Sequence, residues 1–146
     1  MTTPTPVVNG QLVGLTHYAG RALLERVLAR SGTTFNQSAA LRALADNGGD
    51  IERSSLVRLV RDALKVDEAA ARAAVDGLIG DKLLEASADG RVSFTDRGRE
   101  LFDGIQAGGK EVASRLYAGI PREDLETAGR VLALVLERAN AELAAV

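Results

Sequence analysis

The sequence predicts a mainly α-helical fold with one small β-hairpin, and three observations lead there. Apolar residues recur at helical spacing through most of the chain. Between residues 83 and 95 two strand-like runs flank Ala88-Asp89-Gly90, and Asp-Gly is a strong hairpin signal because the turn needs positive φ. The 146 residues, 46% hydrophobic and 26% charged, suit one globular domain with a workable core.

Residues 1–10 read as a flexible N-terminal arm, with two prolines, three threonines and no periodicity. From Gln11 to about residue 31, Leu12, Leu15, Ala19, Ala22, Leu23 and Val27 mark a first helix, and Gly32 supplies a stop. Thr34 is placed to cap a second helix carrying Leu41 and Leu44, which ends at Asn47-Gly48-Gly49. Ile51 sits in a short extended piece. Ser54 or Ser55 starts a third helix, with Leu56, Leu59, Val60, Ala63 and Leu64 on its inner face. After a tight turn at Lys65-Val66, Asp67 is a good N-cap for a fourth helix, and Glu68 suits its positive end. That helix buries Val75, Leu78 and Ile79. Its alanine-rich front, residues 69–74, offers almost nothing to a core and one charged group, Arg72.

Two strands follow, 83–87 and 91–95. Thr95 then caps a long helix with Leu101, Phe102, Ile105, Val112 and Leu116 as its apolar positions. Gly104, Gly108 and Gly109 inside it each cost about 1 kcal/mol relative to alanine. They predict a bend, or the close approach of another backbone. Pro121 fits the first turn of a last helix, which aligns Leu125, Ala128, Leu132, Val135, Leu136, Ala139 and Leu143.

A helix-turn-helix followed by a hairpin is the winged-helix arrangement, and its second helix enters the DNA major groove. The alanine-rich helix holds that position. The expected architecture is a winged helix-turn-helix forming one domain over 11–146. Its DNA-binding lobe covers about 34–95, and its dimerisation helices about 11–31 and 96–145.

Over about residues 11–145 the chain resembles MarR-family transcriptional regulators. Thr34-Phe35-Asn36-Gln37 with Leu41 and Leu44 resembles the family's second helix. Val66-Asp67 through Asp76, Leu78 and Leu83-Leu84 resemble its recognition helix and following strand. Asp89-Gly90-Arg91 matches the wing's D-x-R, and Phe94-Thr95-Asp96-Arg97-Gly98 matches the opening of the long helix. Gly119-Ile120 and Glu123-Asp124-Leu125 resemble the start of the last helix. The resemblance implies a homodimer with interlocked terminal helices on a palindromic operator in double-stranded DNA, usually as a repressor. It also implies release by a small aromatic or lipophilic effector bound between the two lobes.

The candidate DNA contacts are Arg53, Ser54, Lys65, Glu68, Ala69, Ala70, Arg72, Ala73 and Arg91. Alanine methyls suit thymine methyls, and Arg72 suits a guanine or a phosphate. The other reading of the alanines is a packing or surface helix enriched by genome composition. Arg91, at the hairpin tip, reads as a minor-groove or phosphate contact, or as an ordinary exposed arginine. His17, Tyr18 and Arg21 share the first helix and could line an effector pocket with Phe35 and Phe102. Alternatively, Tyr18 packs at a dimer interface and His17 is solvated.

Two features weaken the footprint. The family often carries serine, threonine and arginine where this chain has Ala69, Ala70, Ala71 and Ala73. Residues 51–99 also hold nine basic and nine acidic groups, a poor match to a polyanion. The rival reading is therefore a winged-helix dimer serving as a protein-interaction module, its DNA binding weakened or lost.

Other functions find little support. Without cysteine there is no disulfide, thiolate metal site or thiol switch. With one histidine a metal site would need carboxylates for the rest, and no such cluster, nucleophile, phosphate loop or metal spacing stands out. No enzyme activity and no cofactor is expected. The N-terminus lacks signal-peptide features and no apolar run approaches the ~18 residues of a membrane span. A cytoplasmic protein with no membrane partner is expected.

Overall fold

A computed structural model describes residues 3–145. Met1 and Thr2 of the expected arm, and Val146, lie outside the described residues. Residues 3–9 are exposed and without regular structure. The elements are α1 (Gly10–Ala29), α2 (Phe35–Asp46), β1 (Asp50–Glu52), α3 (Arg53–Leu64), α4 (Glu68–Gly80), β2 (Leu84–Ala86), β3 (Arg91–Phe94), α5 (Asp96–Leu116) and α6 (Arg122–Ala144). None of the helices among the described residues is long and apolar enough to cross a membrane.

Local chemistry sets most helix starts. The Asn9 carboxamide oxygen accepts from Leu12 N at 2.9 Å. Thr34 and Gln37 form a reciprocal capping box, with both bonds at 3.1 Å. Asp67 accepts from Ala70 N at 2.7 Å, and Thr95 Oγ1 accepts from Gly98 N at 3.0 Å. Two starts differ from expectation. Helix α3 begins at Arg53 rather than at a serine, and its cap residue Glu52 makes no side-chain capping bond. Arg53 N instead donates to Gly90 O at 2.9 Å, so a tertiary contact fixes that end. Pro121 is the cap just ahead of α6 rather than part of its first turn.

The extended piece at Ile51 is a third strand. The sheet order is β1-β3-β2, antiparallel throughout, with Ile51 opposite Val92 and Leu84 opposite Phe94. The core gathers Leu28, Leu41, Leu44, Leu56, Val60, Val75, Leu78, Leu84 and Val92, all essentially inaccessible. On α3 the inward set is Leu56, Val57, Val60 and Leu64, while Leu59 and Ala63 are exposed. On α1 Val27 and Leu28 are buried and Leu23 and Leu24 half-buried; Leu12, Leu15, Ala19 and Ala22 are exposed.

The front of α4 is the main correction. Ala71 is fully buried and Ala74 nearly so, so this stretch does contribute to the core. A methyl is what the space between α4 and its neighbours admits. Nearby, a Cβ on Gly77 would lie 2.9 Å from Gln37 Nε2.

Two glycines of α5 mark close approaches. A Cβ on Gly98 would sit 1.8 Å from Leu83 O, and one on Gly108 would sit 2.6 Å from Val27 Cγ1. Around Gly104 and Gly109 such an atom would meet nothing within 4 Å.

The chain forms two compact units, one extending to Val112 and one starting at Ala113. The first holds the core and the sheet. In the second, α6 buries no residue, and Leu132, Val135, Leu136 and Leu143 stay exposed.

These glycine environments predict opposite outcomes for one substitution. Gly98→Ala should destabilise the fold by about 1–3 kcal/mol, because Leu83 O is backbone and cannot step aside. Gly104→Ala should stabilise it by up to about 1 kcal/mol through helix propensity. Urea unfolding of the two variants checks both signs.

Candidate nucleic-acid interface

The candidate surface is built on α3, α4 and the β2–β3 hairpin. Burial of Ala71, Ala74, Val75 and Leu78 turns Glu68, Ala69, Arg72, Ala73 and Asp76 outward, with Ala70 half-buried between the two faces. Arg53 joins all three parts. Its backbone N–H holds the turn at Gly90, and its guanidinium pairs with Asp76 on α4. Ser54, the next residue of α3, is exposed. Lys65 takes a left-handed conformation (φ 56°) at the turn into α4, and its ammonium donates to Asp62 O at 2.6 Å.

Five of the six arginines at 34–95 are engaged with the chain's own carboxylates; Arg58, exposed on α3, is not. Arg72 pairs with Glu68 at 3.2 Å, and Arg61 with Asp62 at 3.0 Å. Arg91 is not at the hairpin tip. It is the first residue of β3, half-buried, donating from Nε to Asp50 Oδ1 and from Nη2 to Asp50 O, each at 2.8 Å. It ties β1 to β3. The tip is Ser87–Gly90, where Gly90 has φ 83°. There the Ser87 hydroxyl donates to Asp89 and holds that carboxyl below the usual range; like any exposed aspartate it is charged at neutral pH.

The Arg72–Glu68 pair is about half exposed and lies one helical turn apart on α4, so it is screened and individually weak. A phosphate can replace such a carboxylate at modest cost. It gains less than it would from an unpaired arginine.

Of the candidate effector residues, four come together. The His17 ring lies 5.5 Å from Tyr18 and 6.5 Å, edge on, from Phe35. Arg21 stacks 4.0 Å above Phe35 and pairs with Glu25 at 3.2 Å. Arg21 and Phe35 line a groove of about 670 Å3 whose far wall is Ala70, Ala73 and Ala74 of α4. Phe102 is elsewhere: it is buried in the core, its ring 5.8 Å from Phe94. Its helical period marked it as apolar but could not say which aromatic it meets. Sequence reasoning gave no role to Asp50, Asp76 or Glu25, which matter here only through contacts made by folding. Among the described residues no group of three or more acidic or histidine side chains could hold a metal ion.

No protein-family model and no curated protein sequence matches the chain. Solved structures do match. The reduced form of MarR from E. coli is 20% identical, with 90% of this chain and 96% of that one covered at TM-score 0.69. A MarR transcriptional regulator from Methanosarcina mazei is 18% identical, covering 89% and 93% at TM-score 0.73. CouR from Rhodococcus jostii, bound to p-coumaroyl-CoA, is 18% identical, covering 84% and 87% at TM-score 0.71. The chain has the MarR-like winged-helix fold.

Placement predicts how two phenylalanines differ. Phe102→Ala should cost about 3–5 kcal/mol of stability, as for a buried core aromatic. Phe35→Ala, on the wall of an open groove, should cost clearly less. Parallel thermal and urea unfolding would compare them.

Proposed function

We propose that this protein is a DNA-binding transcriptional regulator, acting as a homodimer on a palindromic operator and serving as a repressor. The observation that carries the reading is the seating of α4. It is the second helix of the α3–α4 pair, it stands beside the wing through Arg53, and it turns Ala69, Arg72 and Ala73 outward. Short side chains let a helix backbone approach base edges closely, and Arg72 is the long donor among them.

Base discrimination then rests on Arg72, since a good bidentate arginine–guanine contact is worth about 1–3 kcal/mol. Arg72→Ala should weaken binding and relax specificity at one position per half-site. Ala70→Leu should weaken it by steric exclusion, since leucine is also a good helix former. The assay is fluorescence anisotropy on DNA upstream of the protein's own gene, across a salt series, with circular dichroism as the folding control. Affinity should be modest and fall as salt rises. If both variants bind as the parent does, α4 does not enter the groove.

An effector fits the same reading. The groove beside Phe35 would seat a small aromatic or lipophilic molecule under Arg21, against Ala70 and Ala73. A ligand there would touch the helix that reads DNA. CouR, which has the same fold, is bound to p-coumaroyl-CoA, which supports a small-molecule effector without locating it in this groove.

One observation favours a second reading. All the lobe's arginines but Arg58 pair with its own carboxylates and its formal charge is balanced, which suits a protein-interaction module. No salt-dependent binding to any duplex would select it.

The dimer is common to both readings. Leu12, Leu15 and Tyr18 on α1, and Leu132, Val135, Leu136 and Leu143 on α6, are large apolar groups left exposed. Sedimentation should show a dimer at micromolar concentration, and a folded monomer there would overturn this part.

A further inference from the structure

We propose that Asn47 is a site of spontaneous covalent modification, its carboxamide closing onto the backbone nitrogen of Gly48 and ending as a carboxylate in the turn before β1. Water is the only co-reactant. Deprotonated Gly48 N attacks Asn47 Cγ, so an N–Cγ bond forms and the Cγ–Nδ2 bond breaks. Ammonia leaves, its extra proton supplied through solvent in place of the one lost from Gly48 N. Water then opens the cyclic imide. Opening at Cγ gives an aspartyl residue. Opening at the main-chain carbonyl gives an isoaspartyl residue, whose backbone runs through Cβ and is one methylene longer.

Ring closure is easiest before glycine, where no Cβ crowds the attacking nitrogen. Of the four asparagines, Asn9 and Asn47 precede glycine, while Asn36 and Asn140 lie inside α2 and α6 before larger residues. The fold holds the two Asn-Gly sites differently. Asn9 caps α1 with both ends of its carboxamide engaged: Oδ1 accepts from Leu12 N at 2.9 Å and Nδ2 donates to Val7 O at 3.0 Å. Its attacker, Gly10, is the first residue of α1, so closure there breaks the cap and disturbs the first turn. Asn47 is exposed just past the end of α2, and its carboxamide makes one hydrogen bond, from Nδ2 to Ala43 O at 2.8 Å. Gly48 is exposed too, with φ 91°, outside any helix or strand. Its N–H reaches Ala45 O only at 3.4 Å, longer than an ordinary backbone bond. The attacking nitrogen is weakly held, and one good bond is all that closure gives up.

The product would be felt at β1. The bond to Ala43 O needs a donor, and a carboxylate has none. The new charge also stands at the negative end of α2, with Asp46 and Asp50 close in sequence. Asn47 shares a cleft of about 400 Å3 with Glu52, Arg58, Asp62 and Arg91, and Arg91 is the residue that clamps Asp50. A carboxylate at position 47 competes for that clamp. The isoaspartyl form adds length where the turn is tight. Gly49 is buried, its N donates to Leu44 O at 2.9 Å, and a Cβ on it would lie 3.1 Å from Arg99 Nη2. An extra methylene there displaces Asp50 from its place opposite Ser93 and slackens the hold of β1 on β3. The modification is thus a one-way loosening of the sheet that carries the wing.

Full-length protein is held in mildly alkaline buffer and sampled over days by peptide mapping, with electron-transfer fragmentation separating the two products. Conversion at Asn47 should run at least about fivefold faster than at Asn9, the factor that one extra hydrogen bond supplies. It should quicken as pH rises, because the nucleophile is the deprotonated nitrogen. Asn47→Gln, which would have to close a larger ring, should show no conversion at this position. Asn47→Asp should lower the melting temperature by about 2–4 °C, the shift expected from one lost hydrogen bond. The isoaspartyl form, isolated by ion exchange, should exchange the amides of Ile51 and Val92 faster than fresh protein. Equal rates at Asn9 and Asn47, or conversion at Asn47 only after unfolding in urea, would sink the proposed site. Parent-like melting of Asn47→Asp, with unchanged exchange in the isoaspartyl form, would sink its effect on the sheet. No DNA enters these measurements, so their failure leaves the operator reading standing.

Discussion

The close seating of α4 is the constraint on which the rest of the lobe depends. Ala71 and Ala74 present only a methyl inward, and Gly77 presents nothing toward Gln37. Val75 and Leu78 can then sink fully into the core cluster with Leu41, Leu44, Leu56 and Val60. A larger group at position 71 would have to lift the helix or strain its neighbours, because cores resist added volume. Lifting α4 would pull Asp76 from Arg53, and Arg53 also carries the backbone bond to Gly90 in the hairpin turn. The small residues thus act twice. They settle the helix inward, and by doing so they set which side chains face out and where the wing stands.

Charge runs on a different logic. Three of the outward arginines are matched within the fold, Arg72 along its own helix and Arg53 and Arg91 across elements. The Arg91–Asp50 contact is structural, since it clamps β1 to β3 through both a carboxylate and a backbone oxygen. The Glu68–Arg72 contact is an exposed pair one helical turn apart and is easily exchanged. Availability to a phosphate therefore differs between arginines that look alike in the sequence. With Asp89 also charged at the wing tip, long-range attraction to DNA is weak. In the operator reading, binding by this surface would rest on short-range fit, which places the burden on α4.

What was legible in the sequence was local. Thr34 with Gln37, Asp67, Asp89-Gly90 and Thr95 announce their elements because cap and turn chemistry acts over three or four residues. The third strand was only half visible: Ile51 read as extended, but its pairing with Val92 spans a long separation and has no local signal. The start of α3 was misplaced because a bond from Arg53 to the hairpin turn fixes it, whereas the nearby serines looked like caps. The burial of Ala71 was hidden by composition, since in an alanine-rich chain a buried alanine and a solvent-facing one look the same. For the candidate sites, helical spacing grouped His17, Tyr18 and Arg21 correctly, but nothing in the sequence could send Phe35 to them and Phe102 to Phe94.

Helix α6 shows where legibility and completeness part. Its apolar stripe was readable at once, and the helix spans 23 residues, yet it buries none of them. Helices in water owe most of their stability to packing of an apolar face rather than to propensity. The Glu/Arg pair one turn apart at Arg122 and Glu126 adds only tenths of a kcal/mol, about 0.3–0.5 for such a geometry. Leu132, Val135, Leu136 and Leu143 therefore form a face that the single chain does not cover, and the periodicity that predicts the helix also predicts that it has a partner surface. A second copy of the chain supplies an identical stripe, and closed two-fold pairing is the commonest way such stripes are buried. In the homodimer proposed above this stripe is covered, and the dimer would then set the spacing of the two α4 helices.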